Sequence, residues 1–200
     1  MRRAAKTIIV SALLCLLYAG NVNAQFTVSD RYDDAFRKYA KRYFGPAFDW
    51  RFFKAQSITE SKLNPNAVSW VGARGIMQLM PSTYESIRSK NPAFKNIDDP
   101  EWNIAAGIYY NRQLWRQWES GAADADRDHF MFGSYNAGRS TILRAQKVAL
   151  GKSLDEQLWL NIRNVAPDVP GWRHQETIDY VQRILFSLER MDDRGRVIKK

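Results

Sequence analysis

Cysteine is almost missing from this sequence: 200 residues contain one, Cys15. A disulfide framework is excluded by that count. Histidine is nearly as scarce, with two in the chain, so the ligands of a Cys/His zinc site are not there. No GxxxxGK[ST] run occurs, which removes a phosphate loop of that type. No internal repeat or low-complexity tract is visible, and the apolar/polar alternation that half-buried strands need is weak throughout. Long apolar runs are missing too. The stretch from Ile8 to Ala19 is too short for a good membrane span.

What is present suits a folded domain. Hydrophobic residues make up 45% of the chain and aromatic ones 13%, enough to argue against general disorder. The length fits one domain with a sizeable core, with room for a short appendage. Lys and Arg number 30 against 21 Asp and Glu, a net charge of +9. That balance favours an anionic partner: nucleic acid, anionic lipid or an acidic cell-wall polymer.

Residues 1–24 read as a secretory signal peptide. Arg2, Arg3 and Lys6 form a basic start, the short apolar run follows, and Val22-Asn23-Ala24 supplies small residues where cleavage needs them. The mature chain, 25–200, is expected to begin at Gln25. An uncleaved anchor is the alternative reading of the same flanks. Cys15 follows Leu13-Leu14 rather than small residues, so a lipid-anchor cysteine is not expected. Without the three leading cations, 27 basic residues face 21 acidic ones, still +6. For an exported chain this shifts the expected partner from nucleic acid toward a polyanion of the cell envelope.

Helical spacing recurs along the mature chain. Asp30 is placed to cap a first helix carrying Tyr32, Phe36, Tyr39, Ala40 and Tyr43, ended by Gly45-Pro46. A second helix is predicted from about Trp50 to Ser61, stopped by Asn64-Pro65. Pro81 and Asp99-Pro100 each open another. The helix after Pro100 shows Ile104, Ile108, Trp115 and Trp118 on one face. Phe130 to Asn136 reads as a buried helix ended by Gly138, where Gly133, Ser134 and Ala137 would let a neighbouring backbone come close. Ser153 with Glu156 matches a capping box before Leu158 to Ile162. A last helix is expected near Arg173 to Arg190. About seven helices in a single all-α domain follow from this pattern.

Four segments could carry chemistry. Glu60 ends an apolar helix just before a forced break. A carboxyl there can be half buried, which raises its pKa and suits it to act as a general acid; an ordinary solvated or capping glutamate fits the same spacing. In Ser69 to Thr83, two glycines allow close approach of backbone to a ligand. Gln78 lies between Met77 and Leu79, and a part-buried amide there needs hydrogen bonds that a sugar N-acetyl or hydroxyl group would supply. A glycine-rich turn with core methionines fits equally well. Tyr135 and Asn136 adjoin a helix stop. Glu176 and Tyr180, four apart, share a helix face.

Two further signals carry less. Asp124, Asp126 and Asp128 imitate the start of a calcium loop. His129 replaces the glycine at its sixth position and Tyr135 the glutamate at its twelfth, so an EF-hand fails. Arg112, Trp115, Arg116 and Trp118 form a basic and aromatic stripe. It could stack on sugars or nucleic acid, or be half core and half solvated face.

Taken together, the segments resemble one family. Glu60-Ser61, Leu63-Asn64-Pro65, Ser69, Gly72-Ala73, Gly75 to Pro81 and Thr83 match its first two motifs. Asn103-Ile104, Gly107 and Tyr110, then Tyr135 to Gly138, then Glu176-Thr177 and Tyr180-Val181 follow in order. This is the pattern of the family 1 lytic transglycosylases, the SLT domains of the goose-type lysozyme-like superfamily, over about residues 30–190. The resemblance implies an all-helical lysozyme-like domain with a substrate cleft. It implies cleavage of the β-1,4 bond between N-acetylmuramic acid and N-acetylglucosamine in peptidoglycan, leaving 1,6-anhydromuramic ends. By the same resemblance Glu60 is the sole acid/base, and Ser69, Met77 and Gln78 line the cleft around the scissile bond. Tyr135 and Asn136 are the pair beside the acid, with the Tyr135 hydroxyl within its reach. Glu176 and Tyr180 stand on the far cleft wall. Thr59 replaces a common Gln, and Gly133-Ser134 a common Ala-Ala; Trp70 and Arg74 fall at variable positions.

The chemistry is self-consistent without a second carboxylate. Most glycosidases use two, and here Glu85 is the nearest further acid in the motif region, with nothing to distinguish it from a surface acid. A lone acid suffices if the substrate supplies the nucleophile. The expectations are therefore peptidoglycan glycan strands as partner, no nucleic acid, no stable membrane span after signal cleavage, no metal or cofactor, and a periplasmic or secreted location. A lysozyme-type hydrolase of the same fold, and a non-catalytic glycan-binding or secretion-system adaptor, are the competing readings.

Overall fold

The computed structural model describes residues 29–198. The signal-peptide reading of residues 1–24 lies outside the described residues. Eight α-helices occur among them: α1 Asp33–Phe44, α2 Arg51–Ser61, α3 Pro81–Lys90, α4 Pro100–Gln117, α5 Arg127–Ala137, α6 Arg139–Gly151, α7 Trp159–Val165 and α8 His174–Glu189. Among the described residues extended pairing is limited to isolated bridges, Val68 with Arg74, Arg74 with Leu79, and Met191 with Val197. The fold is all-α, as the spacing predicts.

Several ends follow from local chemistry. Pro81 and Pro100 each open a helix where a missing N–H costs nothing. Asp99 caps α4, its carboxylate accepting from the backbone N–H of Glu101 and Trp102. Other expected caps fail. Asp30 gives only a backbone carbonyl, to the Asp33 N–H. Ser153 has φ +56°, in the left-handed region just past α6, and so cannot cap α7. That task falls to Asp126, which accepts from the Trp159 N–H at 2.8 Å. The acidic turn thus ends up holding the start of a helix.

α5 is central, packing on α4, α6 and α8, while α1 packs on α4 and α2 on α8. Phe36, Phe53, Ile76, Ile104, Ile108, Trp118, Phe130, Phe132 and Ile184 form the fully buried heart. Gly133 lets an aromatic ring in, rather than a backbone: a Cβ there would meet Trp159 Cη2 at 2.5 Å. Trp118 is also buried, its indole N–H donating to Ser134 Oγ; it belongs to the core rather than to a stacking face. Lys54 is fully buried against Asp33, Nζ to Oδ1 2.6 Å, an ion pair that ties α2 to α1.

Candidate active site

The site begins where α2 stops. Lys62 and Leu63 both take positive φ, 56° and 63°. Their N–H groups turn back onto the Ile58 and Ser57 carbonyls, which closes the last turn with an unusually sharp reversal. Glu60 sits in that turn, part-buried, with its carboxyl at the lip where the chain leaves the helix.

The loop after Pro65 is held by its own polar groups. Ser69 Oγ accepts from the Ala73 N–H, and the Arg74 and Leu79 backbones exchange hydrogen bonds. Gln78 adopts φ 46°, and its amide donates to the carbonyls of Ala67 and Gly75. Ser69 and Gln78 therefore shape the loop with the very groups that the resemblance assigns to substrate. Met77 departs further from that assignment. It is fully buried, and its sulfur accepts from the Ser57 hydroxyl at 2.7 Å. Its side chain packs on Gly107 of α4, where a Cβ would come within 2.7 Å of it. What Met77 offers the site is backbone, and that backbone is pinned: its N–H donates to Asn103 Oδ1, and Ser61 Oγ donates to the neighbouring Ile76 carbonyl.

Both tyrosines lie close enough to feel the Glu60 charge, but only one is hydrogen-bonded to it. The Tyr135 hydroxyl donates to the Met77 carbonyl at 2.8 Å, not to Glu60. α5 presents that hydroxyl to the loop carbonyl. Tyr180, expected on the far wall, is buried on α8 and donates to Glu60 Oε1 at 2.6 Å. The packing of α2 on α8 brings it there. Asn136 is exposed and accepts from Thr177 Oγ1 at 2.8 Å, joining α5 to α8 rather than facing Glu60. Glu176 is exposed and paired with Arg173 at 2.6 Å. Glu85 is likewise exposed and paired, with Arg88 at 2.8 Å.

Electrostatics single out Glu60. Burial raises its pKa to about 7; the Tyr180 hydrogen bond and the charge of Arg183 oppose that rise. Tyr135 and Tyr180 are both pushed well above the usual phenol, first by burial and then by the Glu60 charge. Both stay protonated donors at neutral pH.

Two residues of the site went unremarked in the sequence. Gln56 and Asn111 are fully buried amides. Asn111 Nδ2 donates to Gln56 Oε1 at 2.7 Å and to the Gly107 carbonyl at 3.1 Å. Gln56 Nε2 donates to the Tyr180 hydroxyl at 2.9 Å. A signal existed: Gln56 lies four residues before Glu60, on the same helix face, and Asn111 continues the apolar row of Ile104 and Ile108.

Around this centre the surface is open. The loop tip exposes Val68, Trp70 and Val71, with Trp70 88% accessible. Between α3 and α4 lies a groove of about 280 Å³ lined by Ser82, Thr83, Ser86, Ile87, Tyr110 and Gln113. The Tyr110 ring stands 5.3 Å from that of Tyr135, so the groove adjoins the site.

Comparison with known proteins agrees with this geometry. The sequence model of the Transglycosylase SLT domain matches residues 34–157. The membrane-bound lytic murein transglycosylase F of Ectopseudomonas mendocina is 30% identical over 137 residues, 68% of this chain and 26% of that protein. Its counterpart in Shewanella halifaxensis is 32% identical over 137 residues, 68% of this chain and 27% of that protein. Among solved structures, the 70 kDa soluble lytic transglycosylase of Escherichia coli superposes with a TM-score of 0.58 at 26% identity, covering 77% of this chain and 23% of that one. An inactive mutant of the lytic transglycosylase Slt from Pseudomonas aeruginosa gives 0.62 at 22% identity, covering 79% and 23%, a likeness of fold. The chain spans about a quarter of the length of these relatives. With the family match running from α1 to residue 157, through most of the helical domain, the chain belongs to the Transglycosylase SLT domain family.

Proposed function

We propose that this chain is a peptidoglycan lytic transglycosylase in which Glu60 is the sole acid/base. The observation that carries the reading is the isolation of Glu60. It is desolvated to a pKa of about 7 and held by a tyrosine hydroxyl. Glu85 and Glu176, the acids that could serve as a second carboxylate, are exposed and paired with arginines. A group with that pKa is populated in both protonation states near neutrality, as one carboxyl serving both steps requires.

The reaction then runs in two stages. Protonated Glu60 gives its proton to the glycosidic oxygen of the leaving N-acetylglucosamine. The N-acetyl carbonyl oxygen of the muramic residue attacks C1 from within the substrate. Glu60, now a carboxylate, removes the proton of the muramic 6-hydroxyl. That oxygen closes on C1 and the N-acetyl group is restored. The acid is regenerated and no water is consumed. A well-oriented intramolecular hydroxyl carries an effective molarity of order 10⁵ M or more, which offsets the abundance of water.

The hydroxyl- and amide-lined groove beside Tyr110 suits sugar rings, and the exposed Trp70 offers a stacking face. The names of the relatives support murein as the substrate class. The reading of residues 1–24 as a signal supports a cell-envelope location, periplasmic or secreted, with 25–200 as the mature domain. No helix among the described residues is long and apolar enough to cross a membrane.

The test is a digest of purified sacculi in ¹⁸O-water, read by mass spectrometry of the muropeptides. The expected products are 1,6-anhydromuramic ends without label. Reducing ends carrying ¹⁸O would identify a hydrolase instead.

A further inference from the structure

The hydrogen-bond chain behind Glu60 has a direction. The Gly107 carbonyl belongs to the α4 backbone and can only accept. Asn111 must therefore turn its Nδ2 toward it, and the same NH₂ group donates to Gln56 Oε1. With Oε1 so occupied, Gln56 presents Nε2 to the Tyr180 oxygen. A hydroxyl that receives a hydrogen bond from that side sends its own proton to the other acceptor, Glu60 Oε1. Flipping Asn111 would set its oxygen against the Gly107 carbonyl and Gln56 Oε1, and flipping Gln56 would set its NH₂ against that of Asn111.

We propose that Gln56 and Asn111 are positioning residues that fix which oxygen of Glu60 carries the acid proton. Glu60 Oε1 is always the acceptor from Tyr180, so the transferable proton is confined to Oε2. The assignment rests on the reading of Glu60 as the acid and adds a pair of buried amides that contact no substrate. Asn111 Oδ1 is buried and has no hydrogen-bond partner among the described residues. Native structures rarely tolerate that, and here it results from both Asn111 contacts being made by its nitrogen. The groups facing Glu60 are Tyr180 and Arg183 from α8 and Tyr135 from α5.

Gln56→Glu is the informative change, because a carboxylate there accepts from Tyr180 and reverses the chain. Glu60 then loses its donor, and its titration midpoint should rise by about one pH unit. Gln56→Met keeps the volume and only removes the donor, with a smaller rise expected. The readouts are ¹³C-carboxyl NMR titration of Glu60 in the full chain, assigned with Glu60→Gln, and the pH profile of sacculus digestion. In Gln56→Glu, kcat should fall about tenfold or more while KM stays within about twofold, since an interaction with the acid rather than the ligand is lost. If folded Gln56→Met and Gln56→Glu both leave the Glu60 midpoint and the pH profile unmoved, the positioning role is overturned. If Gln56→Glu does not fold, Gln56→Met alone decides. Should Glu60→Gln keep its turnover, the acid assignment fails instead, and the NMR midpoint still tests the amide chain without reference to activity.

Discussion

Tyr180 and Glu60 lie 120 residues apart in sequence and 2.6 Å apart in space. The contact is made by the packing of the last helix on the second; it holds the carboxyl and partly offsets the rise in pKa that burial causes. Several measurable consequences follow from it and from the packing around it.

Activity should fall as pH rises through about 7, because the acid form of Glu60 is then lost. Glu60→Gln should reduce the rate about 10²–10⁴-fold, the usual yield of general acid–base catalysis, and leave sacculus binding intact. Steady-state rates and pull-down on insoluble peptidoglycan separate the two effects.

The same substitution should make the protein more stable at neutral pH. A carboxyl whose folded pKa is raised from 4.5 to about 7 contributes most below its unfolded pKa, and this contribution is lost as pH rises through the folded value. Glu60→Gln escapes that loss and should gain about 1–3 kcal/mol above pH 7, with the gain shrinking toward pH 4. Urea unfolding at the two pH values gives the comparison. A mutant no more stable at pH 8 than at pH 4, relative to the parent, would contradict the desolvation of Glu60.

Tyr180→Phe removes the donor to Glu60 and orphans the Gln56 amide. The alkaline limb of the pH profile should move upward, because a hydrogen bond that favours the charged carboxyl is gone. Stability should fall by about 1–3 kcal/mol for the buried amide left unpaired. Tyr135→Phe, whose hydroxyl serves the Met77 carbonyl, should leave the limb nearer its original place.

Lys54→Met should cost about 3–5 kcal/mol, because it strands the Asp33 carboxylate in a buried setting. Replacing both partners, with Asp33→Leu added, should recover most of that loss. Thermal melts of the two variants decide the matter.

Trp70→Ala tests the open side of the site. The indole is 88% exposed, so stability should change by less than about 0.5 kcal/mol. Binding of glycan strands should weaken, read as a rise in KM with little change in kcat.

Much of this arrangement was legible in the residues, and the illegible parts have physical reasons. Pro81, Asp99-Pro100 and Asn64-Pro65 punctuate the chain by backbone chemistry that acts locally, so α3, α4 and the end of α2 fall where the sequence puts them. α6 was not foreseen. Its buried face is Thr141, Ile142, Ala145, Gln146 and Ala149, with a single large apolar residue to mark the period. Glu60 stood out because a helix break follows it. Its partner did not, since no local rule relates α2 to α8. For Met77 and Gln78 the spacing leaves two readings open, contact with a ligand or a glycine-rich turn with core methionines, and the resemblance favours the first. In the structure one fills the core and the other closes its own loop.

Gly107 serves two masters. Its bare Cα admits the Met77 side chain, and through it the loop that carries Ser69 and Gln78. Its carbonyl orients Asn111. Even a methyl group there would come within 2.7 Å of the Met77 side chain and press on the loop, while the carbonyl that orients Asn111 would remain. Substitution at this position is therefore felt through Met77 and the loop it seats, well away from the rim that meets solvent.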